Sequence, residues 1–253
     1  FDSEGMKKRY PDIFFSQFTG AELVADKWNL SREDLDQFAL ESHQKAAQAT
    51  ESKYFDREIL PVEGKNAEGI NDLVMADEGI RFDASLDKLA GLNPVTEGGV
   101  ITAGNASQIT DGAAAVVICN DAGLKKIQAN PRAEIVSISV VGDDPVFMLT
   151  GPIPASKKAL ETANLSIDDI DLYEVNEAFA PVPLAWAVDL KADKSKLNVN
   201  GGAMALGHPL GATGAKLMTT LLHEMERRES NYGLQAICEG GGTANATIIK
   251  RIA

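Results

Sequence analysis

The sequence predicts an α/β protein in which helices cover a largely parallel sheet. In the second half of the chain, short β-branched or apolar runs alternate with stretches of helical periodicity. The composition, with 44% hydrophobic and 24% charged residues, is typical of a globular protein with a buried core. The 253 residues are enough to build that core without disulfides, and they suggest one or two domains.

The first region, residues 1–99, predicts two helices, at 19–25 and 30–50. Ser31 is followed three residues later by Asp34, which is an acidic capping signal for the second helix. The stretch 54–64 predicts a short strand that ends at a proline and a glycine. Residues 64–80 are polar and contain three glycines, which favours a loop.

The composition changes near residue 100, where the chain becomes rich in glycine and alanine. The apolar run 113–119 is short enough to be a strand buried on both faces, and we expect Cys119, at its end, to lie in the core. Residues 121–129 predict a helix or a turn. A domain boundary is expected near 125–132.

The remaining residues predict five strands and three helices in alternation. The strands are at 133–141, 171–175, 197–199, 234–239 and 244–252. The helices are at 155–164, 177–190 and 211–228. This order is typical of a layered α/β unit.

Charge and cysteine content exclude several classes of protein. A net charge of −13 argues against a general nucleic-acid binder, although an anionic small ligand needs only a local site. Two cysteines exclude a disulfide scaffold. No apolar run reaches 18 residues, so we expect no transmembrane helix. No Cys-x-x-Cys or His-x-x-x-His spacing occurs, so no metal site is predicted.

The densest chemical signal is the stretch 200–214, which holds five glycines and His208 and leads into a predicted helix. Glycines permit positive φ and close backbone approach, so such a loop can deliver a histidine to a reactive site. The alternative is a tight turn with a structural histidine, and the sequence pattern leaves both open. The other histidines, His43 and His223, lie within predicted helices and are interpreted as surface or partly packed residues.

Two further signals follow predicted strands. Cys238 precedes three glycines at 240–242, where backbone N–H groups can bind an oxyanion and a thiol can transfer protons. The alternative is a small buried cysteine before a turn. Asn176 and Glu177 follow the strand at 171–175, the position where α/β sheets bind ligands. They could equally cap the next helix, and for Glu177 that interpretation is at least as good.

Taken together, these segments resemble the thiolase family, the acyl-CoA acetyltransferases. The resemblance rests on N-E-A-F-A at 176–180, on G-G-A-M-A-L-G-H-P-L-G-A-T-G-A at 201–215 and on C-E-G-G-G at 238–242. Segments at 32–46, 77–81 and 102–115 are also similar to the family. The resemblance implies a thiolase-like layered α-β-α fold. It further implies a loop domain for CoA binding and oligomerisation at 1–99, the last strand and helix of the N-terminal half at 100–128, and a complete C-terminal half at 129–253.

The resemblance also implies roles for individual residues. His208 would activate a nucleophilic cysteine and line the oxyanion hole, and Cys238 would carry protons to and from the α-carbon of acetyl-CoA. Asn176 would hold a water in the oxyanion hole, and the N–H of Gly240 would polarise the thioester. Ser107 would contact the pantetheine arm of CoA.

One departure concerns the nucleophile. The family's nucleophilic cysteine lies in a segment that has no counterpart in this chain, and Cys119 matches a strand end instead. We therefore expect most of the N-terminal half to be absent, and the strand at 113–119 to expose its edge and apolar face. A second departure is the segment 147–152, where many relatives carry a glycine directly before the Gly-Pro pair. The resemblance places this loop near the acyl site, so the acyl-chain preference is open.

The resemblance implies an acyl-CoA acyltransferase that uses CoA as substrate or product and has no resident cofactor. Thiolysis of 3-ketoacyl-CoA and condensation of acetyl-CoA use the same residues, so the direction is open. The alternative is a truncated, catalytically silent chain that binds CoA or a partner subunit. A decarboxylating condensing enzyme is less consistent with the C-x-G-G-G ending. We expect a cytoplasmic homodimer or homotetramer that binds neither nucleic acid nor membrane.

Overall fold

The computed structural model describes residues 3–65 and 69–252, which contain nine α-helices and six β-strands. The helices are α1 Glu4–Arg9, α2 Gln17–Lys27, α3 Arg32–Glu51, α4 Leu86–Ala90, α5 Asp121–Ile127, α6 Pro152–Ala163, α7 Pro181–Leu190, α8 Ala203–Leu206 and α9 Thr213–Arg227. The strands are β1 Val62–Lys65, β2 Asn71–Val74, β3 Ala133–Gly142, β4 Leu172–Val175, β5 Tyr232–Cys238 and β6 Thr243–Arg251. The α/β class predicted from the sequence is confirmed.

The main sheet has four strands in the order β3-β6-β5-β4. Only β4 and β5 are parallel, whereas β6 is antiparallel to both of its neighbours. The prediction of a largely parallel sheet is therefore wrong. Residues 239–242 join β5 to β6, and a parallel pair needs a crossover of a dozen or more residues, so this short turn can only make a hairpin.

Helices cover both faces of this sheet, as the layered prediction requires. On one face, α6 and α7 pack against side chains that include Tyr173, Leu234 and Ile248. On the other face, α9 packs Leu221 and Met225 against β4 and β6. Because α9 lies over β4 and β5, the outer part of β3 is left exposed on that face.

In the N-terminal region, α2 packs against α7, and α3 packs against α4 and α8. The predicted capping signal is confirmed, because the Ser31 hydroxyl accepts from the Asp34 N–H and the Asp34 carboxylate accepts from the Ser31 N–H. The strand predicted at 54–64 is wrong for most of its length. Residues 52–58 form turns after α3, and the strand is limited to β1, which pairs with β2 in an exposed hairpin.

Two predictions are wrong for the segment 107–120. It contains no regular strand, and Val117 and Ile118 are 81% and 73% exposed. Cys119, expected in the core, is exposed. No described strand lies alongside to complete a hydrogen-bonded ladder, and an extended segment has no stability as a strand without one. Residues 111–120 are therefore exposed on all sides and not only along one edge.

The last predicted strands and helices agree with the structure to within a few residues, with two exceptions. The strand predicted at 197–199 forms only isolated bridges, from Leu197 to Tyr173 and from Val199 to Gly201. The helix predicted to begin at Glu177 begins at Pro181, because a proline fits the first turn of a helix, where its missing N–H needs no partner.

Candidate active site

Asn176 and Cys238 lie at the same edge of the sheet. Cys238 is the last residue of β5, and Asn176 directly follows β4, the strand parallel to it. The Asn176 N–H donates to the Ala236 carbonyl at 3.0 Å, which continues the β4–β5 ladder by one residue. The carboxyl ends of parallel strands meet at one edge, so the two residues lie there.

His208 reaches this edge from the glycine-rich loop. Gly207 has a φ of +78°, and a Cβ there would lie 2.3 Å from the Thr110 hydroxyl, so glycine is required at this position. The His208 N–H donates to the Gln108 carbonyl at 3.2 Å. His208 Nε2 lies 3.4 Å from Asn176 Nδ2, which joins two of the predicted site residues.

The hydrogen bonds around His208 assign its tautomer. His208 Nδ1 lies 2.7 Å from the Thr213 hydroxyl, which itself donates to the Pro209 carbonyl at 3.1 Å. With the one hydroxyl proton assigned to the Pro209 carbonyl, Nδ1 is assigned as the protonated donor and Nε2 as the acceptor of the Asn176 amide N–H. Burial, and then the positive charge of Lys216, lower the pKa of His208. A neutral imidazole with its Nε2 lone pair directed toward Asn176 follows.

Only the nitrogen of the Asn176 side-chain amide has a hydrogen-bond partner among the described residues. The residue is 1% exposed, and its Oδ1 atom is buried without a hydrogen-bond donor among the described residues. A buried amide oxygen of this kind suits a water or a substrate group that donates a hydrogen bond.

The Cys238 thiol is buried, and this desolvation raises its pKa to about 12. The following turn contains Gly241 and Gly242 at φ of +79° and +81°, and the Glu239 carboxylate accepts from Asn245 Nδ2 at 2.6 Å. A Cβ at Gly240 would meet nothing within 4 Å, so space is open beside its backbone. Because desolvation disfavours the thiolate, Cys238 is a protonated thiol at neutral pH.

Ser107 lies near this edge through backbone contacts. Its N–H donates to the Ala178 carbonyl at 3.0 Å, and the adjacent Ala106 bridges to Phe179. The loop 105–108 is therefore held against the segment that follows Asn176. The proposed contact of Ser107 with CoA stays a prediction.

Two open cavities flank the site. One, of about 480 Å³, lies between residues 110–114 and 209–212, directly after His208. The other, of about 330 Å³, is lined by Arg9, Tyr10, Asp143 and Gly241, among others. Neither is lined by Asn176, His208 or Cys238. We place the candidate site at the sheet edge, where Asn176 contacts His208 and β5 ends in Cys238. In the described part of the chain, no cluster of His, Cys, Asp or Glu could hold a metal ion. No described helix is long and apolar enough to cross a bilayer.

Sequence models of two domains match nearly the whole chain. The thiolase N-terminal domain matches residues 4–122, and the thiolase C-terminal domain matches residues 129–251. The chain belongs to the thiolase family. The expectation that most of the N-terminal half is absent is corrected by the first match, which also includes the region we separated as a loop domain. The subdivision at 99 and 128 stays a prediction.

Curated thiolases are similar over almost the full chain. A steroid 3-ketoacyl-CoA thiolase, FadA6, from Mycobacterium tuberculosis is 53% identical over 99% of the chain. An acetyl-CoA acetyltransferase from Rhizobium meliloti is 47% identical over 98%. The chain covers 60% and 63% of these two relatives, so it spans less than two thirds of the length of the thiolases it matches.

Solved thiolase structures share the fold. The acetyl-CoA acetyltransferase of Bacillus anthracis superposes with a TM-score of 0.90 at 40% identity, covering 96% of this chain and 61% of that chain. Human mitochondrial 3-ketoacyl-CoA thiolase in complex with CoA gives a TM-score of 0.88 at 44% identity, covering 92% and 58%. The thiolase fold expected from the sequence is confirmed for the part of the family that this chain spans.

For Glu177, the sequence pattern left open a place in the site or a cap of the next helix. It does not cap α7, which begins four residues later. Its carboxylate is buried and accepts hydrogen bonds from Ser42, Asn198 and the Met204 N–H. The three donors come from distant parts of the chain, so spacing alone carries no signal for this role.

Proposed function

We propose that this chain carries the acid–base half of a thiolase active site. The reaction is thiolytic cleavage of a 3-ketoacyl-CoA, or its reverse, the Claisen condensation of two acetyl-CoA molecules. The observation that carries the proposal is the meeting of His208 with Asn176 at the sheet edge where β5 ends in Cys238. Such chemistry needs a base, a proton donor for a carbanion and donors for an oxyanion.

His208 is the proposed base. Its Nε2 lone pair is free of a proton, and its lowered pKa keeps it neutral at physiological pH. It would take the proton of a nucleophilic thiol as that sulfur attacks C3 of the ketoacyl chain. The Nε2–H formed in this way can then donate to the oxyanion.

Cys238 is the proposed acid in the cleavage direction. Breaking the C2–C3 bond leaves the electron pair on C2 of the acetyl-CoA enolate, and the Cys238 thiol supplies the proton that completes acetyl-CoA. The thiolate regains a proton from the incoming CoA thiol, whose sulfur attacks the acyl-enzyme and displaces the nucleophilic thiolate. That thiolate recovers its proton from His208. The buried, protonated state of Cys238 supports the acid role.

Asn176 and Gly240 are the proposed stabilisers of oxyanions. The buried, unpaired Oδ1 of Asn176 suits a bound water that donates to the thioester oxygen. The open space beside Gly240 lets a thioester approach its backbone N–H. Because these donors act on charge that develops in the transition state, each contributes to kcat.

The proposed nucleophile is a further cysteine. Cys238 is assigned the acid–base role in this proposal, and Cys119 is exposed at the end of an irregular apolar segment. We propose that a segment outside these 253 residues supplies the nucleophile. CoA is then substrate and product, Ser107 contacts its pantetheine arm, and no resident cofactor is needed. The homodimer or homotetramer and the cytoplasmic location stay predictions.

A second function is a silent thiolase-like subunit that binds CoA or a partner. The exposed Val116, Val117 and Ile118 favour a partner surface on this chain. This alternative predicts CoA binding without cleavage of acetoacetyl-CoA, and no acyl-enzyme.

The test is thiolysis of acetoacetyl-CoA by the gene product that contains this sequence. Substitution Cys238→Ala or His208→Ala should lower kcat by about 10²- to 10⁴-fold, the usual contribution of a general acid or base. The matched control Cys119→Ser should retain wild-type kcat. Full activity in Cys238→Ala would overturn the proposal. CoA binding with no acyl-enzyme on the wild-type product would favour the silent subunit.

A further inference from the structure

Glu177 occupies a position that joins three parts of the active site. It follows Asn176 directly in the chain, it is 1% exposed, and its carboxylate contacts the loop that leads to His208. We propose that Glu177 is a positioning residue, whose carboxylate holds the 198–207 loop so that His208 Nε2 faces Asn176. This inference rests on the proposed function only for its effect on rate.

The hydrogen bonds divide between the two carboxylate oxygens. Oε1 accepts from Asn198 Nδ2 at 2.9 Å, and Oε2 accepts from the Ser42 hydroxyl at 2.7 Å and the Met204 N–H at 3.1 Å. Ser42 Oγ in turn accepts from the Gly202 N–H at 3.0 Å. The donors lie on α3, at the start of the loop and in α8, so one buried group fixes their relative positions.

Asn198 extends the connection to β4. Its Oδ1 accepts from the Val175 N–H and its Nδ2 donates to the Val175 carbonyl, both at 2.9 Å. The side chain of Asn198 therefore pairs with the last residue of β4 as a neighbouring strand would. Because Val175 directly precedes Asn176, these bonds fix the start of the loop relative to the Asn176 amide that contacts His208.

Met204 links the carboxylate to His208. The short helix α8 begins at Ala203, and its preceding residue, Gly202, has no side chain to cap it. The Glu177 carboxylate accepts the orphan Met204 N–H in place of such a cap. The helix ends at Leu206, the N–H of the next residue, Gly207, donates to the Ala203 carbonyl, and His208 follows. Fixing one end of this single turn therefore fixes the point from which His208 projects.

The adjacent glycines make this contact possible. A Cβ on Gly202 would lie 2.2 Å from the Glu177 carboxyl carbon, and a Cβ on Gly201, whose φ is +80°, would lie 2.5 Å from the Ser42 carbonyl oxygen. Any side chain at either position would separate the loop from Glu177 or from α3. The glycine pair is thus explained by the close approach of the loop to the carboxylate and the helix.

The test substitutes Glu177→Gln in the gene product that contains this sequence. The side-chain volume is retained, but the new amide NH₂ faces N–H donors, so at least one contact becomes repulsive. The first readout is NMR of ¹³Cε1-labelled histidines, with His208 assigned through a His208→Asn variant. We expect the His208 signal to lose its single tautomer and its titration midpoint to rise, because a released imidazole is less buried. His43 and His223 should keep their signals.

The second readout is the kinetic split. We expect kcat for thiolysis to fall by about 100-fold with KM changed less than about threefold, because a misplaced base costs rate rather than binding. Asp36→Asn is the matched control. Like Glu177, Asp36 has a buried carboxylate, which accepts from the side chains of Arg32 and Asn105. Asp36 lies on α3, and its carboxylate makes no hydrogen bond to the described 198–207 loop. It should leave the His208 signal unchanged.

The outcomes separate the two proposals. An unchanged His208 signal in folded Glu177→Gln protein overturns the positioning role, whether or not the wild type is active. A changed His208 signal in a wild type without thiolase activity supports positioning and overturns the proposed function. If Glu177→Gln does not fold, Ser42→Ala replaces it, since it removes one of the three donors and should shift the same signal by a smaller amount.

Discussion

Asn176 Nδ2 lies 3.4 Å from His208 Nε2, although the two residues are 32 positions apart in the chain. The contact is meaningful because the other nitrogen of His208 is held by Thr213. The imidazole is thus oriented from both sides, and the nitrogen that faces Asn176 is assigned as the one without a proton. A base that is already in the required tautomer needs no rearrangement before it accepts a proton.

Replacing Thr213 should disturb catalysis through this tautomer. Thr213→Val keeps the shape of the side chain but removes the acceptor of the Nδ1 proton. Loss of a buried hydrogen bond of about 1–3 kcal/mol should lower kcat by roughly 5- to 150-fold. Thr219→Val is the control, because Thr219 lies on the same helix and its hydroxyl donates only to the Ala215 carbonyl. Equal thiolysis rates in the two variants would contradict the role of Thr213.

The two cysteines should differ sharply in reactivity. Cys119 is exposed, whereas Cys238 is buried with a pKa raised to about 12. Because alkylation requires an accessible thiolate, iodoacetamide at pH 8 should modify Cys119 at least about 100-fold faster than Cys238. Peptide mass spectrometry over a time course measures both rates in one sample, and the same reaction in urea supplies the control. Comparable rates in the folded protein would show that Cys238 is neither buried nor protonated.

Glycine at position 202 should be essential for the loop, and glycine at 211 should not. The Cβ of Gly202→Ala would lie 2.2 Å from the Glu177 carboxyl carbon, whereas a Cβ at Gly211 would meet nothing within 4 Å. Overpacking of this kind costs about 1–3 kcal/mol of stability. Urea unfolding should therefore show a lower midpoint for Gly202→Ala and a change below about 0.5 kcal/mol for Gly211→Ala. An unchanged unfolding midpoint for Gly202→Ala would mean that the Glu177 carboxylate is free to move.

Glu58 should make stability depend on pH. Burial raises its pKa from 4.5 to about 7, the Thr220 side chain opposes the shift, and Asp77 adds to it. The folded state therefore holds a proton that the unfolded state has lost between these values. The contribution is complete below pH 4.5 and is lost as the pH rises through about 7.

The measurement for Glu58 is the free energy of unfolding at pH 5 and pH 8. In the wild type, this free energy should fall from pH 5 to pH 8. In Glu58→Gln the fall should be smaller by on the order of 2 kcal/mol. Glu161→Gln, on the exposed surface of α6, is the control and should leave the decrease unchanged. An identical decrease in the wild type and in Glu58→Gln would contradict the raised pKa.

The sequence alone determined the α/β class, the cap at Ser31, most elements after residue 120 and the family. These features depend on local patterns: a capping box, apolar periodicity, and motifs in which glycine, histidine and cysteine occur at set spacings. The same patterns singled out Asn176, His208 and Cys238, and the fold brings Asn176 and His208 into contact.

Only the tertiary structure decided which neighbours each segment has. The run 113–119 has the composition of a buried strand, yet it is exposed, because a strand requires a partner and none of the described strands pairs with it. The sheet is mostly antiparallel because β6 returns between β3 and β5, and apolar runs do not encode strand order. Glu177 is buried because donors from α3 and from the 198–204 loop surround it. Those contacts join residues up to 135 positions apart, a distance over which a single sequence carries no pairing information.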